Sequence, residues 1–156
     1  MADPSEPASG LVLDASVAVK WHLKDEDHAA EAAVLLEDFG RGQLELVAPA
    51  QIRFEVPSAF SVATLGRNPR LSAAEGRAAI EEFLALRIQI VDDDALILAA
   101  YPLVHQYGCA LYDALYLALS QRLRIPFVTA DRKLHQRVKL LPFVVWITDY
   151  SRRTIS

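Results

Sequence analysis

The stretch Leu11-Val12-Leu13-Asp14-Ala15-Ser16-Val17 changes character at a single residue. Leu-Val-Leu is a short apolar run with the composition of a strand buried on both faces. Asp14 ends the run, and Ala15 to about Lys24 reads as a helix that Asp14 or Ser16 could cap. A buried strand handing over to a helix is the repeating unit of a parallel α/β sheet. In such sheets ligands bind beyond the carboxyl ends of the strands, so Asp14 falls on the functional edge.

Working outward, the same alternation recurs. Residues 44–47, 88–91, 126–129 and 143–147 read as four more strands. Between them, residues 27–39 carry Ala30, Ala33, Val34 and Leu36 at helical spacing and stop at Gly40 and Gly42. A second helix is expected from Pro49, because proline suits the first helical position, with a bend just after Glu55 where Pro57 removes a donor. Ser72 and Glu75 have the spacing of a capping box opening a helix to about Leu86. Helices also read over 94–107, closed by Gly108 and locally distorted at Pro102, and over 111–123 and 132–138. Five strands alternating with helices predict an α/β fold, a parallel sheet with helices on both faces. Residues 1–10 read as a disordered leader, 11–148 as one domain and 149–156 as a fraying C-terminal tail.

Bulk properties narrow the class. A chain of 156 residues is the size of one domain. It buries about 70% of its unfolded surface and needs no disulfide staple. A single cysteine, Cys109, excludes an internal disulfide and reads as a small core residue. No apolar run approaches the ~18–20 residues that span a bilayer. The acidic, proline-containing start lacks the cationic region of a secretory signal, so a cytoplasmic location is expected. Charge is uneven. Residues 1–119 hold 8 Lys and Arg against 18 Asp and Glu, a net of −10, while residues 120–156 hold 8 against 2, a net of +6. A basic surface beside an acidic site suits an enzyme acting on a polyanion; solvated helix faces would look the same.

Four carboxylates stand out: Asp14, Glu55 in Gln51-Ile-Arg-Phe-Glu-Val56, Asp113 at the head of an apolar helix, and Asp131 after Phe127-Val-Thr129. Each has an ordinary reading, as a helix cap for Asp14 and Asp131, a dipole partner for Asp113 or a solvated helix residue for Glu55. Those readings do not explain all four together. Carboxylates converging at one edge repel, and a divalent cation resolves the repulsion. Asp92-Asp93-Asp94 reads instead as a cap with a solvated loop. The four histidines share no ligand spacing, and no phosphate-binding glycine loop or nucleophile elbow is present. A response-regulator-like domain would also end strands in Asp, but no lysine follows the last strand here.

Leu13-Asp14-Ala15-Ser16-Val17, Glu55-Val56, Tyr112-Asp113-Ala114-Leu115-Tyr116-Leu117-Ala118 and Val128-Thr129-Ala130-Asp131, in this order, resemble the PIN-domain nucleases, and among them the VapC-type toxins of toxin–antitoxin pairs. The resemblance covers about Leu11 to Thr148. It implies a three-layer α/β/α sandwich on a central parallel five-stranded sheet. It implies an acidic cluster of Asp14, Glu55, Asp113 and Asp131 binding Mg²⁺ or Mn²⁺, with Ser16 and Thr129 beside it. It further implies an endoribonuclease acting on structured RNA such as tRNA or rRNA, a homodimer, and a small antitoxin partner. The same residues would serve an RNA-processing nuclease without an antitoxin; a PIN-like module that binds RNA or protein without cutting would not need them. Glu55 is open to two roles, metal ligand or general base. Helix surfaces around Phe39, Phe54 and Phe60 are the expected seat of an antitoxin helix.

Overall fold

The computed structural model describes residues 9–153. Five strands form one all-parallel sheet in the order β3-β2-β1-β4-β5: β1 Ser9–Leu13, β2 Leu44–Pro49, β3 Gln89–Val91, β4 Phe127–Thr129 and β5 Val144–Trp146. The helices are α1 Ala15–Ala18, α2 Ala29–Gly40, α3 Ile52–Ala63, α4 Ala73–Ala85, α5 Asp94–Tyr107, α6 Leu111–Leu123, α7 Arg132–Val138 and α8 Ile147–Arg153. Strand alternation assigns the layers. Leu11 and Leu13 join Leu46 and Val128 in a core with α1–α4 and α8, while Val12 joins Val47 and Phe127 in a second core with α5–α7. This is the expected three-layer α/β/α sandwich.

The chain builds outward from β1 through β2 to β3, then returns to the other side of β1 with β4 and β5. The order therefore reverses between β1 and β4, and the carboxyl ends of strands flanking such a reversal are where parallel α/β sheets bind ligands. Asp14 follows β1, and Asp131 lies two residues past β4.

Several expected element ends move. Pro49 closes β2, paired with Val91, rather than opening the next helix. That helix starts at Ile52, with the Ala50 and Gln51 carbonyls taking its first bonds. α3 and α5 run on through Pro57 and Pro102. The first helix is only four residues long and tightens into a 3-10 turn over Val19–Trp21. The expected strand at 143–147 gives up Ile147 to α8, which occupies 147–153 where a fraying tail is expected from Asp149. α8 is held because Ile147 and Tyr150 are buried, and the Tyr150 hydroxyl donates to Asp38 Oδ2 at 2.6 Å. The capping box at Ser72 and Glu75 is present, with bonds of 3.1 and 2.7 Å. Asp93 caps α5 and pairs with Arg122 at 2.7 Å, as the cap reading of the acidic run requires.

Gly76 lets α4 lie close on α3. A Cβ there would come within 2.5 Å of Thr64 Cγ2, and Thr64 is held in place by its hydroxyl donating to the Ser61 carbonyl. Gly76→Ala is expected to lower stability by about 1–2 kcal/mol, the overpacking penalty exceeding the roughly 1 kcal/mol gain in helix propensity. Thr64→Ser removes the obstructing methyl, so in that background Gly76→Ala should stabilise instead. Denaturant midpoints of the four proteins check the reversal.

Candidate active site

Asp14 is buried, and its side chain does not cap α1. Its Oδ2 accepts from the Thr129 hydroxyl at 2.6 Å and from the Ser16 hydroxyl at 2.8 Å. Those hydroxyls are themselves fixed from behind. Thr129 Oγ1 accepts from the Asp131 backbone N–H at 3.0 Å, and Ser16 Oγ from the Ala130 N–H at 2.9 Å. Each hydroxyl has one proton, and both protons point at the same oxygen of Asp14. The β4–α7 turn is thereby stitched to the β1–α1 turn, and Oδ1 takes part in none of these bonds. Ser16 and Thr129 stand where the sequence places them, beside the first carboxylate.

Burial raises the Asp14 carboxyl to about 6; Thr129 and Ser16 pull it down, and the charges of Asp113 and Asp131 push it further up. Glu55, on α3, rises to about 7 through burial and then through the charges of Asp14 and Asp113, while nearby Gln51 and Tyr116 offset part of the rise. Asp113, on α6, is raised by burial and by Asp131 and lowered by Arg137. Asp14 thus feels the charges of Asp113 and Asp131, Glu55 those of Asp14 and Asp113, and Asp113 that of Asp131, which links the four carboxylates electrostatically. Asp131 also keeps a structural task, its Oδ1 accepting from the Leu134 N–H at 3.1 Å as the cap of α7.

Two buried polar atoms in this neighbourhood lack a hydrogen-bond partner, Glu55 Oε1 and the Tyr116 hydroxyl. A buried carboxylate oxygen left bare is costly, and a cation with its bound waters would satisfy it. Among the described residues no three His, Cys, Asp or Glu side chains stand close enough together to hold one ion directly. Mg²⁺ does not require that: it keeps most of its waters and is held by one or two carboxylates plus substrate phosphate. An all-oxygen acidic set fits a hard cation of this kind.

The sequence reading passes over Tyr116. It lies one helical turn after Asp113 on α6, and that i, i+3 spacing is the signal that could have found it. Its ring stacks on Phe127 with centroids 5.6 Å apart, and burial and then the charges of Asp14 and Glu55 drive its hydroxyl pKa far upward. A phenol that stays protonated beside two carboxylates is a fixed donor. Tyr116→Phe is expected to lower the activity proposed below about tenfold to a hundredfold, the usual effect of an outer partner of a metal site. Stability should change little, because the hydroxyl makes no bond of normal geometry and offsets only part of the Glu55 charge. Cleavage rates and melting temperatures of the variant test both halves.

The basic half of the chain is less open than its composition suggests. Arg122 is paired with Asp93, and Arg137 donates to the Gly108 carbonyl. Arg132 and Lys133 remain as exposed cations next to Asp131. Cys109 is buried, as its reading as a core residue requires. Among the expected partner-docking aromatics, Phe60 is fully buried and Phe39 packs against the core, so that expectation is corrected: only Phe54, 77% exposed, presents its ring to solvent.

The PIN domain family matches residues 11–140, most of the chain, and the protein belongs to that family. No curated protein matches it in sequence. Solved structures share the fold at low identity. A toxin–antitoxin complex from Klebsiella pneumoniae is 19% identical with a TM-score of 0.61, over 86% of this chain and 95% of that one. A protein from Pyrobaculum aerophilum is 18% identical with a TM-score of 0.68, over 97% and 94%. VapBC2 from Rickettsia felis, bound to a DNA fragment from their promoter, is 17% identical with a TM-score of 0.57, over 88% and 96%. Among the described residues no helix is long and apolar enough to cross a membrane.

Proposed function

We propose that the protein is a metal-dependent endoribonuclease that cleaves structured RNA of the tRNA or rRNA class and acts as the toxin of a toxin–antitoxin pair. The observation that carries this reading is the buried Asp14 carboxylate, oriented by two hydroxyls at the switch point of a PIN-family sheet, with a bare Glu55 oxygen beside it. Asp14 and Asp113 are the residues that would hold Mg²⁺ or Mn²⁺, Asp131 completing the site through water. When bound, the ion supplies positive charge opposite the scissile phosphate and eases deprotonation of the attacking water. Glu55, whose carboxyl titrates near neutrality, is suited to take that proton at Oε1 or to share in holding the ion. Ser16 and Thr129 fix Asp14 Oδ2 and leave Oδ1 clear of their bonds, where it would be available to the ion, and the protonated Tyr116 hydroxyl lies in the field of the Asp14 and Glu55 carboxylates. Arg132 and Lys133 offer cations to the RNA backbone.

The antitoxin is a small protein of the VapB kind. Exposed Phe54, Val62 and Leu65 along and just past α3 give it an apolar surface to cover, and exposed Ile97, Leu98 and Tyr101 on α5 offer one to a second copy. The toxin–antitoxin complex among the structures of like fold is consistent with such a partner. A cytoplasmic site of action follows from an RNA target.

The test is incubation of purified, partner-free protein with total RNA, with Mg²⁺ or Mn²⁺ and with chelator. Discrete fragments that require the ion are expected. Intact RNA in every condition, from folded protein, would overturn the nuclease reading in favour of a non-catalytic binding module. Growth arrest on expression, relieved by a small neighbouring reading frame, separates a toxin from an RNA-processing nuclease.

A further inference from the structure

Beside the β4–α7 turn lies an open cavity of about 480 Å³ in which, of the residues given a role in cleavage, only Arg132 takes part. Ala130 and Arg132, the residues on either side of Asp131, line it, which places it next to the β4–α7 turn that carries Asp131. Its volume is within the roughly 300–1,000 Å³ of small-molecule sites. One wall is aromatic. Trp146 meets His28 edge-on with ring centroids 5.7 Å apart, and His135 lies against Trp146 at 5.0 Å.

His28 stands in the left-handed region, at φ 65, immediately before α2. Histidine, like Asn and Asp, enters that region more readily than most side chains, and this conformation sets where its ring stands relative to Trp146. The remaining walls are polar. Lys20 is buried in the floor and pairs with Glu26 at 3.3 Å, and Arg132 is exposed at the rim. Asp25 and Glu26 have their charge met by Arg70, at 2.7 and 3.2 Å. Asp27 also lines the cavity and is exposed.

An aromatic wall, a cation at the rim and an exposed carboxylate in the same lining are the parts that recognise a nucleotide. Bases stack on aromatic rings whatever their sequence, cations take the phosphate, and a carboxylate accepts from an exocyclic amine. We propose that this cavity is a nucleobase subsite for the substrate nucleotide next to the cleaved phosphate, with Trp146 and His28 as the stacking wall, Arg132 on the phosphate and Asp27 reading an amino group on the base. The assignment rests on the nuclease reading, since it places a substrate base beside the carboxylates.

Binding can be measured without cleavage. Trp21 is buried with its indole N–H bonded to the Ala32 carbonyl at 2.8 Å, so ligand-dependent fluorescence reports Trp146. The wild-type protein is titrated in chelator with AMP, UMP and ribose 5-phosphate. AMP is expected to change the fluorescence saturably and to bind at least about tenfold more tightly than ribose 5-phosphate, the worth of one stacked base. UMP, lacking the amine, should fall between them. His28→Asn, which keeps a residue tolerant of the left-handed region, should weaken AMP about tenfold while the lost ring contact with Trp146 lowers the melting temperature by no more than about 2–6 °C. Asp27→Ala should bring AMP to the level of UMP.

Equal binding of ribose 5-phosphate and AMP would overturn the proposal in favour of a plain anion site, and no saturable response to any nucleotide would overturn it outright. A stable His28→Asn protein with wild-type AMP affinity would do the same. Nucleotide binding that persists in a protein without ribonuclease activity would sink the nuclease reading and with it the link to a cleaved phosphate, leaving a nucleotide site; metal-dependent cleavage with no nucleotide response would sink only the subsite.

Discussion

Replacing Asp14 with asparagine is expected to reduce RNA cleavage at least a hundredfold, roughly the loss on removing one group that stabilises transition-state charge, and to raise the melting temperature of the metal-free protein above pH 7. The two effects have one cause. Asp14 is buried, and burial lifts its carboxyl from 3.8 to about 6, so above pH 7 the metal-free fold holds a charge that water would solvate better. The carboxamide carries no charge, yet its oxygen can still accept from Ser16 and Thr129. One pKa unit corresponds to 1.36 kcal/mol, so the relief is on the order of 3 kcal/mol at most. For a domain of this size each kcal/mol moves the midpoint by about 2–4 °C. A residue that weakens the fold and is indispensable to the chemistry is a functional residue. Thermal scans in chelator and cleavage assays on the same preparations check both arms. A folded Asp14→Asn protein that cuts RNA at the wild-type rate would remove Asp14 from the site; a lower melting temperature would make its role structural.

Much of this arrangement was legible in the sequence because it depends on local signals. Apolar runs of three to five residues ending in Asp or Thr announced β1 and β4, and the topology of a parallel sheet places such strand ends together. Gly108 ended α5 and Ser72 opened α4 because each satisfies a backbone requirement within one turn. What was missed depends on tertiary contact. α8 turns Ile147 and Tyr150 inward among its residues of described burial, too few for a period to show, and it is held because Asp38 and the core receive them. Phe60 and Phe54 look alike in a sequence, but six positions is nearly 240° around a helix, so one is buried while the other faces solvent. Pro49 fits a strand end as well as a helix start, since both tolerate the missing donor. Tyr116 was hidden because a tyrosine in an apolar helix reads as core, which it is; only the structure shows its hydroxyl without a partner beside two carboxylates. Composition likewise overstated the free basic surface, because Arg122 is taken up by Asp93.

The metal-free protein is expected to melt at a higher temperature at pH 5 than at pH 8, the opposite of a fold stabilised by ion-paired carboxylates. Asp14 rises from 3.8 to about 6 and Glu55 from 4.5 to about 7, and Asp113 is also raised. Between about pH 4 and 7 the folded state therefore holds protons that the unfolded chain has released. Stability falls with rising pH wherever the native state binds more protons, so it declines through this window and levels off above about 7. The lowered carboxyls, Asp25 beside Arg70 and Asp93 beside Arg122, act with the opposite sign but below 3.8, outside the window. A divalent ion should change the profile. It binds the deprotonated carboxylates and competes with protons, so its stabilisation grows with pH. Mg²⁺ or Mn²⁺ should add little at pH 5 and most at pH 8, flattening or reversing the slope. Calorimetry across this range with chelator and with each ion measures both profiles. A metal-free melting temperature that climbs from pH 5 to pH 8 would mean that Asp14, Glu55 and Asp113 are already satisfied by the protein and have no need of a cation. A metal-free decline that Mg²⁺ and Mn²⁺ leave untouched would locate the strain correctly and take the ion out of the site.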